Sequence, residues 1–296
     1  MPRNILVLLG ALWLCICTLV AAGRVAGAEG LAEDLPRGDC AAPGPATDLR
    51  HCDLAGADLS GTDLRGVRLD RVRLENANLA RSKLADASAV GADLQWAKIT
   101  DADLSGVDLT GANLFHAVLD RSVLDRARLC RANLFGANLI EVRALGADFS
   151  DAQMKDLLAE AADLSGSRLD RAFIFRGVLI GSHLNGASLR QVALTGAALE
   201  DADLSGADLS GSLLNGAFLA GTRFHGARLS GARFPNARVE GADFSGAEDL
   251  PEHLRAMLSA GPASANTAVS RPADAVDAIS TGGRAPAAPA DPTLPR

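Results

Sequence analysis

The chain has no tyrosine, two tryptophans, nine phenylalanines and three methionines in 296 residues. Aromatics make up only 4% of it, which excludes a globular core built on large rings. Cysteine and histidine are equally scarce, at five each. The histidines are His51, His116, His183, His225 and His253. No His/Cys group has metal-ligand spacing along the sequence, and no nucleophile has a base and an orienting acid beside it. Charge of one sign is missing too. The net charge is −7, and residues 47–247 hold 26 acidic and 22 basic side chains with the signs interspersed. That balance excludes strong attraction to nucleic acid or an anionic membrane. These absences leave no support for an enzyme and imply no cofactor, metal or small-molecule substrate.

What is present is a period of five. From Leu49 to Phe244 every fifth residue is a candidate core residue, and 29 of these forty positions are Leu. Two residues before each lies a second column, for example Ala57, Thr62, Val67, Val72 and Ala77. It holds only Ala, Ser, Thr, Val, Cys or Gly except at Leu157. Five fits neither a helix at ~3.6 residues per turn nor a flat strand at ~2. Short identical units instead predict a stacked solenoid, each burying its apolar face against the next. One large and one small inward residue per unit suit a chain that turns a corner every five residues. Four corners close a coil of twenty, so forty units predict about ten coils, a rod of ~48 Å at the ~4.8 Å strand spacing. Asp or Asn often precedes the large residue (Asp53, Asp58, Asn78, Asp103, Asn113, Asn133), and Gly often ends the unit (Gly56, Gly61, Gly106, Gly211). Both suit turns.

Units such as Ala57-Asp58-Leu59-Ser60-Gly61, Ala102-Asp103-Leu104-Ser105-Gly106 and Ala207-Asp208-Leu209-Ser210-Gly211 resemble the A-(D/N)-L-x-x consensus of the pentapeptide-repeat family. The resemblance spans about 47–247. It implies an all-β fold, a right-handed quadrilateral β-helix; handedness and four-sided section come from the resemblance, not from spacing. Some members of that family resemble B-form DNA in shape and negative charge and bind DNA gyrase, a type II topoisomerase. This chain departs from them in its balanced exterior, with Arg65, Arg68, Arg71, Arg73, Arg81 and Lys83 making one end locally basic, and in its apparent export.

The ends differ in kind from the repeat. Residues 1–28 carry Arg3, an apolar run from Ile5 to Ala22 and the A-x-A site Ala26-Gly27-Ala28. They read as a secretory signal peptide, which makes the mature protein periplasmic or secreted; the alternative is an uncleaved membrane anchor. Residues 29–46 form a lead-in. Cys40 in that lead-in and Cys52 in the small inward column would pair in an oxidising compartment; equally, Cys52 serves as a small core residue. Cys130 follows Leu129 and should point outward as an exposed thiol. Residues 248–260 predict a short capping helix, with Pro251 in its first turn and Leu250, Leu254 and Met257 or Leu258 on its covering side. Residues 261–296, rich in Ala and Pro, read as a disordered tail. Inside the repeat, 153–162 breaks the pattern, with Met154 and Ala159 in the large column and Leu157 in the small one. It predicts a distorted coil, the alternative being a helical excursion.

Folding the sequence at twenty residues per coil gives one functional signal. Phe115, Phe135 and Phe175 fall in a single outward column, with Trp96 and Phe173 on the same face. Ile140, Ile180, Val118, Val178 and Phe218 fall on the neighbouring face, where polar residues are usual. Exposed apolar patches mark interfaces. The expectation is a non-enzymatic interaction or structural module that uses this lateral face to bind a protein partner or a second copy. A gyrase-binding DNA mimic is the alternative.

Overall fold

Backbone pairing recurs every twenty residues. In the computed structural model, which describes residues 35–259, Asp48 pairs with Arg68, Arg68 with Ser88, and so on to Arg228 with Glu248, always in parallel. Three further ladders run through Asp53–Arg73, Asp58–Asn78 and Asp63–Lys83, so each coil has four sides of five residues. The residue before each large one carries the ladder. Asn78 N donates to Ala57 O at 2.9 Å, and Leu54 N to Arg73 O at 2.9 Å. At most corners the small residue's N–H closes a turn on the preceding large residue's carbonyl, as from Ala57 to Leu54 at 3.1 Å, whereas Ala102 N donates to Ser122 Oγ at 3.3 Å. The second residue of that turn has positive φ. Glycine takes it at no steric cost (Gly61, φ 68), and Asn, Asp, Arg, His and Trp occupy it elsewhere.

Both inward columns are buried in one continuous core from Leu49 to Leu254. Each buried Leu stabilises by ~1.5–3 kcal/mol. Several hydroxyls in the small column bond backbone carbonyls, while those of Ser167 and Ser212 are buried without a partner among the described residues. Ser82 and Ser182 donate to the carbonyls of Leu79 and Leu179 at 2.7 Å, and Thr222 to that of Leu199 at 2.8 Å. Towards the C-terminal end Phe replaces Leu on the axis, and Phe224 stacks on Phe244 with centroids 4.7 Å apart.

The segment 153–162 is neither distorted nor helical: it keeps the ladder and turn pattern of every other coil. The reason is compensation across coils. Leu157 is large where its column is small, Ala159 is small where its column is large, and Gly177 follows Leu157 one coil later. A Cβ on Gly177 would meet Leu157 Cδ2 at 2.7 Å and Ile174 Cγ2 at 2.6 Å. The misfit survives as a stretched corner, Gly177 N to Ile174 O at 3.4 Å.

At the N-terminal end the lead-in adds a partial rung: Arg37 pairs with Asp48, Asp48 N donates to Pro36 O at 2.8 Å, and Gly38 N to Asp48 O at 3.0 Å. Gly38 lies over Leu49, where any Cβ would come within 2.5 Å of Leu49 Cδ2. At the other end α1 spans Glu252–Ser259. Its Leu254 is fully buried in the core and Leu250 packs against it. Leu258 is largely exposed, so it is not on the covering side. Among the described residues no helix is long and apolar enough to cross a membrane. The proposed signal peptide (1–28), the start of the lead-in and the tail (261–296) lie outside the described residues.

Candidate interaction face

Consider the side of the rod that carries Asp93, Asn113, Asn133, Gln153 and Phe173 on its ladder. Each Asn here orders the residue two places on: Asn113 Oδ1 accepts from Phe115 N, and Asn133 Oδ1 from Phe135 N at 3.2 Å. The amides also chain between coils, with Asn133 Nδ2 donating to Asn113 Oδ1 at 2.9 Å and Asn113 Nδ2 to Asp93 Oδ1 at 3.2 Å. This polar ladder fixes the phenylalanines that follow it. Phe115 and Phe135 stack at 5.3 Å and 16°. Lys155 takes the next rung and spans the gap, its Nζ 5.2 Å from the Phe135 centroid and 5.9 Å from that of Phe175. Phe175 stacks on Phe173 at 6.1 Å and carries the Arg176 guanidinium at 5.4 Å.

The neighbouring column holds Trp96 and His116, stacked at 4.4 Å and 5°. Trp96 also meets Phe115 edge-on at 5.7 Å. Both residues sit in the left-handed backbone region, at φ 58 and 52. That conformation costs a bulky side chain of order 1–2 kcal/mol, which the ring contacts offset. His116 has room because the next residue in its column is Gly136, where a Cβ would lie 2.5 Å from the imidazole. Burial pushes the His116 pKa down, against an opposing pull from the Gly136 backbone contact and Asp156. In the sequence, only the spacing of twenty between Trp96 and His116 signals this pair.

Exposure along this side is uneven. Trp96 is 54% exposed and Phe173 39%, while Phe115, Phe135 and Phe175 are half-buried by their own stacking. On the adjoining side Ile140 and Ile180 are half-buried, as are Val118 and Phe218, but Val178 is buried at 8% between its neighbours. That corrects its reading as an exposed position.

The cysteines divide likewise. Cys40 and Cys52 form a disulfide with Cα atoms 5.5 Å apart, and His51 lies beside it. Cys130 is buried at 3%, not exposed as its place after Leu129 suggested. It is a short side chain in a column between Thr110 and Ser150, and coils only ~4.8 Å apart leave it little access to water.

Charges on the exterior pair mainly along the rod axis. Arg121 bonds Asp101 at 2.8 Å, Arg171 Asp151 at 2.7 Å, Arg176 Asp156 at 2.8 Å and Arg190 Asp170 at 2.5 Å. Asp170 is itself buried. Burial alone would raise its pKa, but hydrogen bonds from Arg190 and Ser188 hold it below the usual carboxylate value.

The model for pentapeptide repeats matches in eight copies over 46–81, 77–114, 112–151, 178–211 and 207–246. The chain belongs to the pentapeptide-repeat family. HetL, a pentapeptide-repeat protein involved in heterocyst differentiation regulation in the cyanobacterium Nostoc sp. strain PCC 7120, is similar at 29% identity and a TM-score of 0.52. That match covers 68% of this chain and 88% of HetL. QnrB1, a plasmid-mediated fluoroquinolone resistance protein, matches at 20% identity and a TM-score of 0.41, over 59% of this chain and 87% of its own. A pentapeptide-repeat protein from the Arabidopsis thaliana thylakoid lumen matches at 30% identity and a TM-score of 0.22, over 35% and 69%. No curated protein sequence matches.

Proposed function

We propose that the protein is an exported, non-enzymatic interaction module: a right-handed quadrilateral β-helix of about ten coils, closed by α1, that binds a protein partner or a second copy through one lateral face. The carrying observation is the run of rings on that face. Trp96 and Phe173 are exposed at its two ends, with Phe115 and Phe135 stacked between them and Phe175 stacked on Phe173. Rings already stacked lose little conformational freedom on docking, which lowers the cost of association. Ile140 and Ile180 extend the surface round the corner. Lys155 and Arg176 are held over the rings, with Asp156 as their shared ion partner. Export rests on the leader-like composition of 1–28. A regulatory relative such as HetL is compatible with a role in binding rather than catalysis.

The DNA-mimic alternative has less support. Such a mimic presents unneutralised carboxylates, whereas here arginines on successive coils pair with Asp101, Asp151, Asp156 and Asp203.

The test is the mass in solution of residues 29–296, by light scattering after size exclusion, beside the Phe115→Ser/Phe135→Ser/Phe175→Ser variant. A wild-type dimer that becomes a folded monomer supports the face as a self-association surface. A monomeric wild type shifts the reading to a different protein, and the same pair is then compared in capture from envelope extract. Equal capture by both forms would remove the face from the proposal.

A further inference from the structure

The N-terminal end brings together three residues whose sequence spacing gives no hint of a metal set. One ligating atom from each of Cys40, His51 and Cys52 lies within 4.8 Å of the others. We propose that reduction of the Cys40–Cys52 disulfide converts this end of the rod into a binding site for a soft divalent cation of the Zn²⁺ class, held by both thiolates and the His51 imidazole.

The geometry carries the proposal. His51 Nε2 stands 3.7 Å from Cys52 Sγ. A tetrahedral zinc ion with Zn–S of ~2.3 Å and Zn–N of ~2.1 Å sets its sulfur and nitrogen ligands ~3.6 Å apart. The nitrogen and one sulfur are therefore already at ligand separation. The two sulfurs need to part to ~3.8 Å, which rotation of the exposed Cys40 side chain supplies. Loss of the S–S bond does not free the lead-in, because Asp48 still pairs with Arg37 and exchanges backbone hydrogen bonds with Pro36 and Gly38. Gly38 stays seated over Leu49 for the same steric reason. Cys52 is buried while Cys40 and His51 are exposed, so the ion has a route in and a fourth position open to water.

The surroundings are compatible. Arg50 pairs with Asp48 at 2.6 Å and Arg68 with Asp70 at 3.4 Å. Two thiolates and one divalent cation are together neutral, so the basic residues nearby meet no net positive charge. A dithiol reductant supplies two electrons and two protons, breaking the Cys40–Cys52 bond and closing its own disulfide. Binding of Zn²⁺ then displaces the two thiol protons. The oxidised form, with both sulfurs tied up, has no thiolate to offer, so the site reports the redox state of its compartment.

The experiment uses the full chain with Cys15, Cys17 and Cys130 replaced by serine, so that only Cys40 and Cys52 respond. Zinc is measured by equilibrium dialysis before and after reduction with a phosphine, with Co²⁺ as a second probe for its thiolate charge-transfer band. The expected result is one equivalent bound after reduction and none before. Cys52→Ser should abolish the cobalt band, and His51→Ala should weaken binding at least tenfold, beyond the ~10-fold lower limit seen even for residues supporting a ligand. Circular dichroism on each variant establishes that the rod is folded. A reduced, folded parent that takes up no stoichiometric zinc overturns the proposal. So does a His51→Ala or Cys40→Ser variant that binds as tightly as the parent.

Discussion

Asn113-Phe115-His116 and Asp103-Ser105-Gly106 sit on opposite sides of the rod, one coil or less apart along its axis. Their backbones are alike: the same ladder position, the same corner, the same positive φ at its second residue, 52 at His116 and 68 at Gly106. In both, the side chain before the large residue caps the backbone two places on, Asn113 to Phe115 N and Asp103 to Ser105 N. Inward they present equivalent residues, Ala112 and Leu114 against Ala102 and Leu104, all buried. Only the outward side chains differ. On one side they are rings in mutual contact; on the other Ser105 turns back on Asp103 at 2.7 Å and Gly106 leaves room for the Asp86 carboxylate, which a Cβ there would meet. A solenoid thus separates two kinds of constraint. The inward columns must fit coils ~4.8 Å apart, while each outward column is free to specialise.

The largest challenge to that division is an inward change. Leu134→Asp buries an unpaired charge among Leu114, Met154 and their neighbours, and should destabilise by ~4 kcal/mol or more. A circular-dichroism melt equal to wild type would show that the inward columns are not what holds the rod. A medium effect sharpens the point within the core. Gly177→Ala places a Cβ against Leu157 and Ile174 and should cost ~1–3 kcal/mol. Adding Leu157→Ala should recover part of it, a coupling that urea denaturation of the four forms measures. If the two costs simply add, the fit between 157 and 177 is not why the coil stays regular.

The smallest effect lies outside. Burial depresses the His116 pKa, so the folded chain holds fewer protons there than the unfolded one. The associated stability is present above the imidazole's ordinary value of ~6.5 and is lost as pH falls through the lower folded value. Trp96 reports it directly, since a protonated imidazole stacked on the indole quenches its fluorescence. The titration should show a midpoint below ~6.5 that disappears in His116→Ala. A midpoint at or above that value would mean the pair is open to solvent and the ring face less ordered than described.

The five-residue period, the inward columns and the column of Phe115, Phe135 and Phe175 were legible because each follows from counting along the chain. The pairing of Cys40 with Cys52 was one of two equal readings, and the lead-in's return over the first coil decides for it. The regularity at 153–162 was not. Leu157 looks like an error until Gly177 is seen beside it, and the two are a full coil apart in sequence. Cys130 was misplaced because outward direction was equated with exposure, which stacked columns of short side chains do not respect. The Trp96–His116 stack and the bridging of two rings by Lys155 depend on side-chain conformations that spacing does not report. The Cys40–His51–Cys52 cluster stayed hidden because the lead-in folds back on the first coil through Gly38, and no periodicity marks that return.

By itself, then, the sequence determined a stacked solenoid with one large and one small inward residue per unit, because short apolar units in a strict repeat bury themselves only against their neighbours; its four-sided section came from the family resemblance and the backbone pairing. The tertiary structure decided which outward residues meet one another, which remain exposed and what gathers at the open end. Those outcomes depend on contacts between residues twenty apart, or across the lead-in's return, where local propensity says nothing and packing at fixed coil spacing decides.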